Sequence, residues 1–337
     1  MPTNEAPDVA WSVAVDEAAW IAPRLAPFED CTAGSVVPTG FAAYARLLHP
    51  VHDATGRRVR WSEVAAWSGR SMRPGDDFHA VAFPEAPSTA PRPWRGQGPR
   101  SGTLDPDDAA ALGAILRRHT STPDACWFCL WDGYGWMSGG AVFARTGGGP
   151  AEPRPPVVPA AVLDGPTVDL PYRSYLLYSG PVEAALAFVE SEGQTPNLFW
   201  PSDRSWCVAT EIDLSSTYVG GTAELVASLL ASDDLEAVGA EPFARHGSVD
   251  DWICSEAESA ARDLLASGHA TVVTTAGTVE ATLVRHGLLR RRVALATRVR
   301  RPDGEGSSYG PVGSARDPAL QDDIESRLIR VIVDLVE

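Results

Sequence analysis

Residues 196–213, PNLFWPSDRSWCVATEID, bring together two tryptophans, an Asp-Arg pair and two carboxylates separated by a single residue. Read as a strand over 205–214, the run places Trp206, Val208, Thr210, Ile212 and Leu214 on one face. Cys207, Ala209, Glu211 and Asp213 then share the other. Glu211 and Asp213 become same-face neighbours roughly 6–7 Å apart. That spacing suits a paired-carboxylate acid–base site or a metal seat. It also suits an edge pair matched to a cation, either Arg204 or an outside partner. Trp200, Asp203, Arg204, Glu211 and Asp213 are therefore the candidate binding residues, because acid, cation and aromatic area converge in this run alone. Trp131 and Trp136, in the hairpin-tip pattern WDGYGW, are the expected aromatic neighbours. The plain alternative is a turn-stabilising Asp203–Arg204 pair beside solvated carboxylates.

Other constellations are weaker. Cys126-x-x-Cys129 has no second pair at metal-ligand spacing, and on a strand its two thiols point to opposite faces. HPVHD groups His49, His52 and Asp53, with distant His79 as a further ligand, but nothing fixes a third position. RGQGPRSG (95–102) could hold a phosphate in backbone amides, yet it lacks the strand-to-helix setting of a nucleotide loop. Seven arginines and no carboxylate occupy 285–301. These bind an anion or pair with an acidic helix carrying Asp250, Asp251, Glu256, Glu258 and Asp263, and internal pairing is the expected outcome. No resident metal or cofactor is expected.

Composition excludes several chemistries. All 28 basic residues are arginine, so a lysine Schiff base, a P-loop lysine and the Ser-x-x-Lys pair of β-lactamases are ruled out. A net charge of −16 disfavours binding to nucleic acid or to anionic membranes. No segment approaches the roughly 18 apolar residues that span a bilayer, and the N-terminus has no secretory pattern. Five scattered cysteines suggest reduced thiols. The expected location is cytoplasmic.

The elements that must position these residues follow from periodicity and caps. A short helix is expected at 16–25, then helices from the caps Thr39 and Ser62, from Asp105-Pro106, after Pro181 and after Thr222. Strands are expected at 126–131, 173–179 and 205–214. Pro- and Gly-rich stretches at 83–102 and 146–166 read as loops. From Ser248, a capped helix, three strand-like runs and a closing helix after Asp317 predict an α-β-β-β-α unit. The fold class is α+β, with a mixed or antiparallel sheet and flanking helices in a main domain over 1–245. The small domain covers 246–337.

PNLFWPSDRSWCVATEIDLSSTYVGG, with SYLLYSGPVEAAL and CWFCLWDGYGW before it, resembles a family of uncharacterised proteins of high-GC actinobacteria over residues 40–245. The resemblance implies no activity and supplies no catalytic residue. The residues themselves support a non-enzymatic cytoplasmic binding module that presents an acidic and aromatic surface to a basic protein partner, with toxin neutralisation as one form. The rival is a hydrolase using Glu211 and Asp213 with His49 or His52, around a divalent metal.

Overall fold

The computed structural model describes residues 9–82, 90–95, 98–138, 157–171, 173–244, 260, 264–273, 278–286, 292–301, 304–314, 324 and 328. The chain divides into two compact units, Met1–Pro50 with Arg100–His246 and Val51–Pro99 with Gly247–Glu337. The fold is α+β. Among the described residues no helix is long and apolar enough to cross a membrane.

The strands run β1 (Ala10–Trp11), β2 (Ala43–Leu48), β3 (Val51–His52), β4 (Arg58–Val59), β5 (Cys126–Trp131), β6 (Val168–Leu170), β7 (Arg173–Gly180), β8 (Leu198–Pro201), β9 (Cys207–Ala209), β10 (Ser216–Gly221), β11 (Ala237–Ala240), β12 (His269–Val273), β13 (Thr278–His286), β14 (Arg292–Arg301) and β15 (Gly304–Ser314). The helices are α1 (Trp61–Ser68), α2 (Phe78–Ala82), α3 (Pro106–Leu116), α4 (Ala160–Leu163), α5 (Ala184–Glu192) and α6 (Ala223–Leu230).

The first unit is built on a nine-stranded sheet ordered β1-β7-β5-β8-β9-β10-β2-β11, with β6 on β7, and its strand pairs are antiparallel. Its central strands bury both faces. Phe128, Leu130, Phe199, Trp206 and Val208 pack in one cluster with residues of α3, α5 and α6. Cys129, Leu198, Trp200, Cys207 and Ala209 pack on the other side with Ala18, Ile21, Ala33 and Val37. Cys126 and Cys129 accordingly fall in different clusters, and burial pushes the Cys126 thiol up to about 12.

Two corrections concern the strands of this sheet. The run from Thr39, expected as a helix, is strand β2, because Tyr44 and Leu47 are needed on opposite faces of the sheet. Strand β9 stops at Ala209 rather than running to Leu214, and residues 211–214 form a turn closed by Leu214 N donating to Glu211 O at 3.1 Å. The caps at Asp105 and Thr222 are as expected, accepting from Asp107 N and Leu225 N. Helix α1 instead begins after Arg60, whose N–H is held by the Glu63 side chain at 3.0 Å, and ends at Gly69 with φ +76°. The expected helix at 16–25 is two short 3-10 turns, Val15–Ala18 and Ala22–Arg24.

In the second unit, β3 and β4 form a two-stranded ribbon, and Trp61, Phe78 and Trp94 pack edge to face. The terminal sheet is an antiparallel meander, β12-β13-β14-β15. It has four strands where the sequence suggested three. The added strand, β15, is rich in Gly and Ser, so it has little intrinsic β preference and gains its order from the long ladder with β14. The expected flanking helices over 248–268 and after 317 fall largely outside the described residues.

Candidate functional site

Hairpin β8–β9 decides which candidates meet. Leu198 pairs with Ala209 and Phe199 with Val208, so the 202–206 turn closes one end of the hairpin. Asn197 and residues 210–213 lie at the other. The expected site residues are therefore divided between opposite ends.

At the turn, Asp203 Oδ2 accepts from Thr120 Oγ1, Ser121 N and Ser121 Oγ at 2.9, 2.7 and 2.7 Å. Its Oδ1 accepts from Ser205 N at 3.0 Å. Partial burial would raise the carboxyl, but the hydrogen bonds from Ser121 and Ser205 outweigh it and hold Asp203 below the usual carboxylate range. Arg204 has φ +55° and lays its guanidinium over the Trp20 ring at 5.6 Å. Trp200 is fully buried and meets Trp20 edge to face.

At the open end, Glu211 and Asp213 converge on a residue that sequence spacing did not point to. Arg173, at the start of β7, donates from Nε to Glu211 Oε1 at 3.0 Å and from Nη2 to Asp213 Oδ2 at 3.1 Å. Its Nη2 also lies 2.9 Å from Glu211 Oε1. The guanidinium sits over the rings of Phe28 and Trp131 at 5.7 and 5.5 Å. Glu211 Oε2 accepts from Asp213 N at 2.7 Å, so both oxygens of that carboxylate are engaged. Burial pushes the Glu211 carboxyl up, against the opposing pull of Arg173. The Glu211 side chain is 8% exposed, whereas that of Asp213 is 76% exposed. The carboxylates are thus joined through one cation rather than paired across a strand face.

Asn197 pins this end together. It is buried, its Oδ1 accepts from Trp131 N at 2.9 Å, and its Nδ2 donates to Tyr134 Oη at 2.9 Å and to Thr210 O at 3.2 Å. Trp131 meets Tyr134 edge to face, and Tyr134 stacks on Trp136 at 5.9 Å. Gly133 is required beneath that tip, since a Cβ there would lie 2.1 Å from the Trp131 ring. Gly102, with φ +71°, supports the other side: its N–H donates to Leu214 O at 3.0 Å, and a Cβ would lie 2.8 Å from Ile212 O. Asp132 and Asp169 are exposed near the tip, and the Asp132 carboxyl is raised by burial and by the Asp169 charge. Arg173, Glu211, Asn197 and Tyr175 line a cavity of about 30 Å³, room for a water or two.

The histidines serve elsewhere. His49 is buried, with Nδ1 donating to Arg100 O at 2.8 Å, which leaves Nε2 to accept from Thr217 Oγ1 at 2.9 Å. Burial pushes its pKa down to about 4, so the ring is neutral at physiological pH. His52 belongs to the β3–β4 ribbon, and Asp53 accepts from Thr55 and Arg57. Among the described residues, no three of His, Cys, Asp and Glu are grouped so as to hold a metal ion.

Neither a protein-family model, nor a curated protein, nor a solved structure matches this chain.

Proposed function

We propose that the chain is a non-enzymatic, cytoplasmic binding module that offers the 131–136 tip and the 211–213 turn to a basic protein partner, with toxin neutralisation as one form of that role. The observation that carries the reading is the clasp on Arg173. A general base must reach a substrate proton, and Glu211 is buried, with Arg173 on one oxygen and Asp213 N on the other. A cavity of about 30 Å³ also leaves no seat for a substrate beside it. These features weigh against the hydrolase alternative. What remains outward is exposed Asp132, Asp169 and Asp213 around a half-buried aromatic tip, with Arg173 as the cation tied to Asp213. Acidic groups flanking rigid aromatic area suit recognition of a basic surface, in which charge speeds encounter and the rings supply contact. The described cysteines are free thiols, three of them buried, which supports a reducing compartment.

The test is capture of partners from native lysate by the wild-type chain and by Asp132→Asn/Asp213→Asn. Both side chains are exposed, so the variant should melt as the wild type does. A specific basic partner that is lost in the variant and weakened by salt supports the reading. A partner captured equally by both proteins, or none captured by either, sinks it.

A further inference from the structure

The terminal sheet carries a second polar constellation, independent of the acidic tip. Around residues 269–271, 279–282 and 295–298, burial alternates along each strand. Ala270, Val279, Ala281, Leu295 and Thr297 are buried on one face. His269, Thr271, Thr282, Arg298 and Ser307 are exposed. Register then brings the exposed set together, because His269 pairs with Thr282, Glu280 with Arg298, and Arg298 with Ser307. Three hydrogen-bonding side chains and one guanidinium are thereby spread over four adjacent strands around a single concavity of about 490 Å³.

The charges in that concavity are unequal. Glu280 is the carboxylate lining it, and its Oε1 lies 3.1 Å from Arg300 Nη1. That negative charge is neutralised on the sheet. Arg298, directly opposite Glu280, makes no hydrogen bond or ion pair among the described residues. The His269 ring touches Thr282 Oγ1 and Thr271 Oγ1 only at 3.3 and 3.4 Å, contacts long enough to yield to a better acceptor. An ordinary solvated sheet face would account for exposed polar side chains. It does not account for a ligand-sized hollow in which hydroxyls and a histidine, all able to donate, surround one uncommitted arginine.

We propose that this hollow binds a small phosphate ester, with the phosphoryl oxygens on Arg298 and the hydroxyls of Thr282 and Ser307. Arginine presents a planar fork of donors that matches a phosphoryl edge, and the two hydroxyls can turn to donate to the remaining oxygens. The hollow is far larger than inorganic phosphate and falls within the range of small-molecule sites, so the rest of the ligand lies toward His269 and Ala296. A sugar or nucleoside fits that polar floor.

The experiment is calorimetric titration of the full chain with two matched pairs, ribose 5-phosphate against ribose and AMP against adenosine. At least one phosphorylated member should bind while its unphosphorylated partner does not. Arg298→Gln should weaken that binding about tenfold or more, equivalent to about 1.4 kcal/mol. Thr282→Ala should weaken it by a smaller factor, and neither exposed substitution should alter the melting temperature. Absence of binding for both phosphorylated ligands at about 10 mM, a range in which affinities are already weaker than about 4 kcal/mol, overturns the proposal. Equal binding by Arg298→Gln and wild type overturns it too, as does equal binding of ester and parent alcohol.

Discussion

The two ends of the β8–β9 hairpin carry nearly the same side chains and use them differently. At the closed end, Asp203 is surrounded by hydroxyls and N–H groups of 120–121 and 205, while its sequence neighbour Arg204 turns away onto Trp20. At the open end, Glu211 and Asp213 share Arg173, which is 38 and 40 residues distant in the chain. Adjacent opposite charges did not pair, and distant ones did. A two-residue neighbourhood inside a tight turn cannot aim both side chains at one point, whereas a sheet can bring the start of β7 beside the exit of β9 with the geometry an Arg–carboxylate contact needs.

This contrast can be broken most severely at Asn197. Asn197→Ala removes the side-chain bonds to Trp131 N, Tyr134 Oη and Thr210 O from a buried position, leaving two backbone groups without those partners. We expect a loss of about 3 kcal/mol or more in denaturant unfolding, together with a change in tryptophan emission from the tip. A loss under about 1 kcal/mol would show that the open end does not depend on the pin.

Arg173→Met should follow at about 2–3 kcal/mol near neutral pH, because it leaves Glu211 buried and charged. Adding Glu211→Gln should recover part of that loss. The pH dependence separates charge from packing. With Arg173 gone, the Asp213 N–H still opposes the effect of burial on Glu211 but the guanidinium no longer does, so the folded-state pKa rises further above the unfolded value. Such a carboxyl favours the folded state when protonated, and that stability is lost as pH rises through the folded pKa. The deficit of Arg173→Met relative to wild type should therefore narrow as pH falls toward and below about 4.3, the unperturbed glutamate value. A deficit constant from pH 4 to pH 8, bounds chosen to bracket roughly the carboxylate range, would mean that Arg173 acts through its aromatic contacts alone.

At the closed end, Asp203→Asn should cost about 1 kcal/mol, as loss of a side-chain cap does. The sign of its pH dependence is opposite. The Asp203 carboxyl is held low, so its contribution is present above about 3.9, the unperturbed aspartate value, and is lost as pH falls through the folded value. The wild type and Asp203→Asn should therefore converge in acid urea titrations. Arg204→Gly is the smallest change: relief of a left-handed backbone offsets the lost contact with Trp20, and stability should stay within about 0.5 kcal/mol. A larger loss would make Arg204 a structural cation like Arg173.

Much of the local structure was legible. Asp105-Pro106 and Thr222 announced α3 and α6 through their caps, and CWFCLW and RSYLLYS announced β5 and β7 through aromatic content and turn flanks. After Ser205 the expected faces hold, with Trp206 and Val208 on one side and Cys207 and Ala209 on the other, but the strand ends at Ala209, and the alternation in the sequence does not mark the turn at 211–214. Strand β2 was misread because its apolar run, buried on both faces, is compatible with either period. Trp131, Trp136, Glu211 and Asp213 were brought to one end of the sheet, and Trp200, Asp203 and Arg204 to the other. Arg173 could have been suspected only as an arginine opening an apolar strand, a weak signal among 28 arginines.

By itself, the sequence determined the chemistry that is impossible without lysine, the acidic character of the whole chain, and the local stops and starts set by Asp105, Thr222 and Gly69, because these depend on composition or on residues within one helical turn. Tertiary structure alone decided the partner of Glu211, the burial of Trp200 and the ordering of the Gly- and Ser-rich β15. Each of those is settled by a strand that arrives from elsewhere in the chain, and the energy of such a contact depends on geometry that no short window of residues encodes.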